Sequence, residues 1–202
     1  MRSNMMQALV AIMLAAIIAM AWMEIRHGIS ARENPTAVET IIARTMRRLA
    51  IPSAAARLKN PFTPNPEALT DSRHHFADHC ATCHGNDGSV NTTIGRNLYP
   101  KSPDMRLSAT QSLTDGELYY IVQNGVRLTG MPAWGQAGEG ANDEDSWRLV
   151  LFIRHLPKLT TEEEKDMEQY NPESAAERAE EQEEEEFLKG GNPLTVPAQH
   201  HH

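Results

Sequence analysis

Two cysteines, Cys80 and Cys83, are all that 202 residues contain. A disulfide-stapled scaffold needs more than one pair, and a four-cysteine zinc site is excluded outright. Aromatic residues are scarce at 5%, and apolar residues make up only 40%. The whole chain therefore cannot wrap one large core, and one modest domain with long appendages fits better. Excess positive charge is missing too: the formal net charge is −8, which argues against a general nucleic-acid binder. No stretch alternates convincingly enough to read as a sheet.

The chain has one long apolar run. Residues 5–23, MMQALVAIMLAAIIAMAWM, carry no charge and one polar side chain, Gln7. At about 1.5 Å per residue they span roughly 28 Å, close to the hydrocarbon thickness of a bilayer. Residues 1–23 thus read as an N-terminal transmembrane anchor; the competing reading is a cleaved signal, for which Ala19-Met20-Ala21 supplies a small-x-small site. Residues 24–68 follow as a basic segment. Seven basic side chains face three acidic ones between Glu24 and Asn60, and Val38, Ile41, Ile42, Met46 and Leu49 recur at helical spacing. This amphipathic stretch suits an anionic membrane surface, or packing on a partner or on the domain that follows. Pro61, Pro64 and Pro66 then mark a linker.

Residues 69–157 are expected to be the compact domain and residues 158–202 an acidic tail. Thirteen acidic residues stand against Lys165 and Arg178 between Thr160 and Phe187, a pattern of a solvated helix or disorder. Three terminal histidines, His200 to His202, are a weak metal-binding feature, a natural ending or a tag remnant. Within the domain, a first helix is expected to start at Thr70 or Asp71 and to carry Phe76. A second runs through LTDGELYYIVQNG, with Thr114 and Glu117 as a capping box and Gly125 as the C-terminal cap. A third starts at Asn142 or Asp143, turns Trp147, Val150, Leu151 and Ile153 inward, and stops at Pro157.

The chemistry concentrates in Cys80-Ala81-Thr82-Cys83-His84. Cys-x-x-Cys followed at once by His is the attachment signature of a c-type haem. Two thiols spaced by one helical turn can add to the two vinyl groups on one porphyrin edge, and the next residue presents an imidazole to the iron. A zinc site would need more ligands at suitable spacing, and a thioredoxin-like pair would need a βαβ setting. A sixth iron ligand is expected downstream. Met131, in GMPAWG, precedes a stiffening proline; Met105, in KSPDMRL, is its rival, with a histidine or an open site as further options. Arg96, Lys101 and Arg106 lie between the ligands and are candidates to hold a haem propionate, Arg96 first.

Taken together, CATCHG, LTDGELYYIVQNG, GMPAW and WRLVLFIRHL resemble a class I mono-haem cytochrome c domain of the membrane-anchored bacterial type. The resemblance covers roughly Leu69 to Pro157. It implies an all-α fold with crossing first and last helices around one covalent haem, with Phe76, Trp147 and Leu151 at the crossing. It also implies His84 and Met131 as axial ligands, Trp134 and Tyr119 beside the haem, and a haem domain outside the cytoplasmic membrane, facing the periplasm. The expected function is one-electron transfer to redox partner proteins, by a carrier and not an enzyme, anchored in the membrane and without nucleic acid. The alternatives are a haem subunit of a larger oxidoreductase complex, or a gas sensor or peroxidase-like enzyme if the iron is open. His74, His75, Asp78 and His79 near the motif are expected to face solvent.

Overall fold

The computed structural model describes residues 2–27, 30–135, 143–173 and Leu188. Among these, every regular element is helical. The long apolar run forms α1 (Arg2–His27), and Asn4–Met23 within it is long and apolar enough to cross a membrane, with none of that stretch buried against the protein. Then come α2 (Ala37–Ala50) and the short α3 (Ser53–Ala56).

The domain is built on α4 (Pro66–His79), α8 (Asp115–Asn124) and α9 (Glu144–His155). Helix α4 starts four residues ahead of the expected Thr70. Ala68 N donates to the Asn65 side chain at 2.8 Å, and Pro66 occupies the first turn. An Asn cap followed by a proline whose missing N–H costs nothing there is the stronger start signal. Helix α8 begins with the expected capping box, Thr114 N to Glu117 Oε2 at 2.7 Å and Glu117 N to Thr114 Oγ1 at 3.2 Å. Helix α9 is capped by Asp143, which accepts from Ser146 N at 3.0 Å.

Helices α4 and α9 pack against each other, and at their contact the Phe76 and Phe152 rings lie 5.1 Å apart, both fully buried. Leu151, expected at this crossing, is buried but stands outside the main core cluster; Phe152, one residue and about 100° further round the helix, takes the place. Trp147 is buried in the same core and stacks on Tyr119 of α8 at 4.0 Å. Short helices α5 (Ala81–His84), α6 (Thr93–Asn97) and α7 (Ser108–Gln111) fill the connection between α4 and α8.

Two flanking segments pack on this frame. Between α2 and α4, Ile51 is buried, Thr114 Oγ1 donates to Ala56 O at 2.8 Å, and Asn60 Nδ2 donates to Trp147 O at 2.8 Å. Gly116 permits the approach, since a Cβ there would stand 2.0 Å from Ala55 O. On the other side the packed unit runs past Pro157. After a 3-10 turn (Leu156–Lys158), α10 (Thr161–Glu168) inserts Met167 fully into the core. Burial of that side chain is worth about 1.5–3 kcal/mol. The start of the acidic segment is therefore not a solvated element. Arg73 pairs with Glu163 at 3.3 Å and Asp166 at 2.7 Å, and His155 meets Glu163 at 3.0 Å. His74 also departs from expectation: it contacts Asp166 at 2.9 Å and stacks on Tyr170 at 3.7 Å. Residues 174–187 of the acidic segment and the terminal histidines lie outside the described residues.

Partial burial by itself would raise the Glu163 carboxyl. The backbone N–H of Thr160, with His155 and Arg73, outweighs it and holds the group below the usual glutamate range. Its contribution is therefore complete above the unfolded value of about 4.3 and lost as pH falls through the lower folded value. Glu163→Gln keeps the capping interaction and removes the charge. Thermal unfolding at pH 7 should show the variant less stable by about 0.5–1 kcal/mol. The two proteins should converge only once pH has fallen below the lowered folded value of Glu163.

Candidate functional site

The end of α4 runs straight into the CATCH turn. Cys80 N donates to Phe76 O at 2.8 Å as the last bond of α4. Cys83 N and His84 N then both reach Cys80 O, at 3.2 and 3.0 Å, and Gly85 N reaches Ala81 O at 2.7 Å. Gly85, with φ of 75°, ends the turn in a conformation that an L side chain resists. One turn of helix thus carries both thiols and the imidazole. Helix α6 backs it: Thr92 Oγ1 donates to Cys83 O at 3.3 Å, and a Cβ on Gly95 would stand 2.1 Å from the same oxygen.

Opposite the turn, the chain leaving α8 folds back beneath the helix end. Val126 N donates to Met131 O at 3.1 Å, Met131 N to Thr129 Oγ1 at 3.1 Å and Trp134 N to Val122 O at 3.2 Å. Gly125, at φ 66°, makes room for this return, because a Cβ there would lie 2.5 Å from the Pro132 carbonyl carbon and 2.7 Å from Met131 O.

Between the two sides lies an apolar cleft with about 530 Å³ of unfilled space, part of it open to solvent. Phe76, Val122, Leu149 and Ile153 line it from the core; Cys80, Cys83 and His84 from the turn; Leu98, Met105, Met131, Pro132 and Trp134 from the connecting loops. Burial pushes the His84 imidazole down to about 4, so at neutral pH it is uncharged and able to donate a lone pair. Its Nδ1 is buried without a hydrogen-bond partner, so the protein alone leaves the ring unsatisfied.

Both thiols are free. Burial, then the neighbouring Cys83, pushes the Cys80 thiol up to about 12, and burial raises Cys83 as well. Redox-active Cys-x-x-Cys pairs work through lowered thiol values, so this pair is unlike them. Among the described residues no group of three or more His, Cys, Asp or Glu side chains is placed to hold a bare metal ion. Two protonated thiols and a neutral imidazole on an apolar wall suit a haem.

Residues 67–153 match the family described as cytochrome C oxidase, cbb3-type, subunit III. This part of the chain is a cytochrome c domain. A comparison with curated proteins returns no match. The matched residues begin within the first turn of α4 and end in α9, leaving α1, α2, α3 and α10 outside.

Of the residues expected at the site, the cytochrome c domain brings Cys80, Cys83, His84, Met131 and Trp134 together, with Met105 also on the wall. Tyr119 is not a wall residue; it is buried against Trp147, and Asp143 N donates to its hydroxyl at 3.3 Å. None of the three candidate cations lines the cleft. Arg96 donates to the Asn91 side chain, Lys101 Nζ to Ala31 O at 2.6 Å, and Arg106 pairs with Asp87 and Asp104 at 2.8 Å each. Sequence reasoning missed His79 and Leu98 as wall residues. His79 meets the Trp134 ring edge-on at 5.4 Å, a contact between distant segments that no local pattern signals.

The return loop should be sensitive at Gly125 and tolerant at Gly130, where a Cβ would meet only the movable Leu98 side chain. In a comparison of thermal unfolding, Gly125→Ala is expected to cost about 1–3 kcal/mol. Gly130→Ala should cost less than half as much.

Proposed function

We propose that the chain carries single electrons through one haem c, attached by thioethers at Cys80 and Cys83 and ligated at iron by His84 and Met131. The observation that carries this reading is the shared cleft: two free thiols and a buried neutral imidazole on one helical turn, and a methionine loop, line the same apolar space. Bound there, the haem supplies an iron centre that takes up and releases one electron.

The chain does the rest. The turn from Cys80 to His84 fixes attachment and proximal ligation in one piece of backbone, so the imidazole needs no separate positioning. The core-side walls exclude water from the bound group, and a drier, less polar setting tunes its potential. A methionine thioether is a soft ligand that favours the ferrous state and raises the potential. Met131 suits that role better than Met105. Met105 belongs to the buried core cluster. Met131 is half-buried, on a loop whose packing depends on Gly125.

A haem held by both His84 and Met131 would leave no iron position open to a substrate, so the chain reads as a carrier and not an enzyme. Trp134 remains 38% exposed at the rim of the cleft, and that rim is the place for contact with a redox partner, by weak and transient docking. The membrane span α1 holds the chain to the cytoplasmic membrane with the haem domain on the outer, periplasmic side. A second reading, the haem subunit of a larger oxidase, is favoured by the description of the matching family; it changes the partners and not the chemistry.

Carbon monoxide tests the closed iron. The reduced parent protein should show no change in its haem spectrum, Met131→Ala a clear one, and Met105→Ala none. Binding by the parent, or a Met131→Ala protein that stays closed, would overturn the ligand assignment and bring the sensor or peroxidase-like reading forward.

A further inference from the structure

Helix α2 faces the wrong way for a helix that packs only on its own protein. Amphipathic surface helices ordinarily turn the apolar side inward. Here Val38, Ile41, Ile42, Met46 and Leu49 are 46, 65, 56, 61 and 78% exposed. At 100° per residue they share one face. The half-buried positions are polar: Thr40 and Arg47 lie opposite that face, and Glu39 lies at its edge. Glu39 accepts a hydrogen bond from the Tyr99 hydroxyl, and the Arg47 Nε is buried. The polar side of α2 is therefore the side held against the domain.

Two features say what covers the other side. Nine residues separate the end of α1 from the start of α2, a reach of at most about 35 Å for extended chain. If α1 spans a bilayer, α2 is tethered beside its surface. Arg44 and Arg48 lie along one edge of the apolar face. An apolar face bordered by arginines and tethered to a membrane span fits the headgroup region of an anionic bilayer.

We propose that α2 lies in the membrane surface with Val38, Ile41, Ile42, Met46 and Leu49 toward the lipid, and thereby fixes the orientation of the cytochrome c domain. The coupling is direct. Helix α2 rests through Glu39 on Tyr99, in the same loop as Leu98 and Ser102 of the cleft wall, and Lys101 Nζ reaches back to Ala31 O ahead of the helix. The cleft is thus held at a set angle to the bilayer and does not swing freely on a tether. The inference rests on α1 as a membrane span and is independent of the iron ligands.

The full-length haem protein, purified and reconstituted into phosphatidylcholine vesicles containing phosphatidylglycerol, provides the test. Single cysteines are introduced as Ile42→Cys, Leu49→Cys and, away from the apolar face, Ala43→Cys, and their reaction with a water-soluble maleimide is timed against the parent chain. All three positions are exposed in the fold, so the substitutions leave the core intact. Ile42→Cys and Leu49→Cys should react roughly tenfold more slowly than Ala43→Cys, as expected for an apolar face sunk below the headgroups. Adding Met46→Glu should restore the reaction at Leu49→Cys.

Equal rates at the three positions in vesicles that carry the protein would overturn the proposal while leaving α1 as the anchor. Failure of the chain to float with the vesicles would remove the anchor and the proposal with it. Protection seen only in native membranes, and not with purified protein and lipid, would assign the face to a companion protein and overturn the lipid assignment.

Discussion

One turn of helix has to present two thiols and an imidazole to the same cleft while its own peptide groups stay satisfied, and the rest of the domain is arranged around that demand. Cys80 O accepts from both Cys83 N and His84 N, and Gly85 breaks the turn at once. The Cys83 carbonyl is then covered by α6 so closely that position 95 has no room for a side chain. The turn is clamped from behind by backbone and held from the front by α4, whose last hydrogen bond ends at Cys80. Rigid backbone at this point is what lets three donors act as a unit.

The larger helices extend this clamp. The crossing of α4 and α9 through Phe76 and Phe152 fixes the direction from which the turn enters the cleft, and truncating either ring would cost about 3–5 kcal/mol. Stacking of Tyr119 on Trp147 fixes α8 to α9, and so sets the position of the methionine loop that hangs from the end of α8. The flanks brace the same helices from outside: α10 through Met167, Arg73 and His74 on α4, and the stretch from Ile51 to Asn60 on α8 and α9. Among the described flanking elements, α1 and α2 are the ones whose apolar sides find no cover in the protein.

What was legible in the sequence was local. The CATCH turn, the Thr114–Glu117 box, the Asp143 cap and the apolar span of α1 each depend on residues a few positions apart, and each stands in the structure as read. What was not legible depends on partners far along the chain. Met167 is one apolar residue in an acidic run, and its burial follows from Arg73, more than ninety positions earlier, meeting Glu163 and Asp166. Arg96 was a reasonable propionate partner by position, but Asn91 and the turn of α6 direct its guanidinium elsewhere. Phe152 and Leu151 are equally apolar neighbours, and only the angle at which α9 crosses α4 decides which of them meets Phe76.

The central claim is covalent attachment of one haem at Cys80 and Cys83. The most direct measurement is the intact mass of the purified full-length protein after acid and organic extraction, which removes haem held only by ligation. The account predicts a mass of the chain plus one haem, reduced to the bare chain when both Cys80→Ser and Cys83→Ser are introduced. A parent protein that emerges as the bare chain, or with more than one haem, would contradict it.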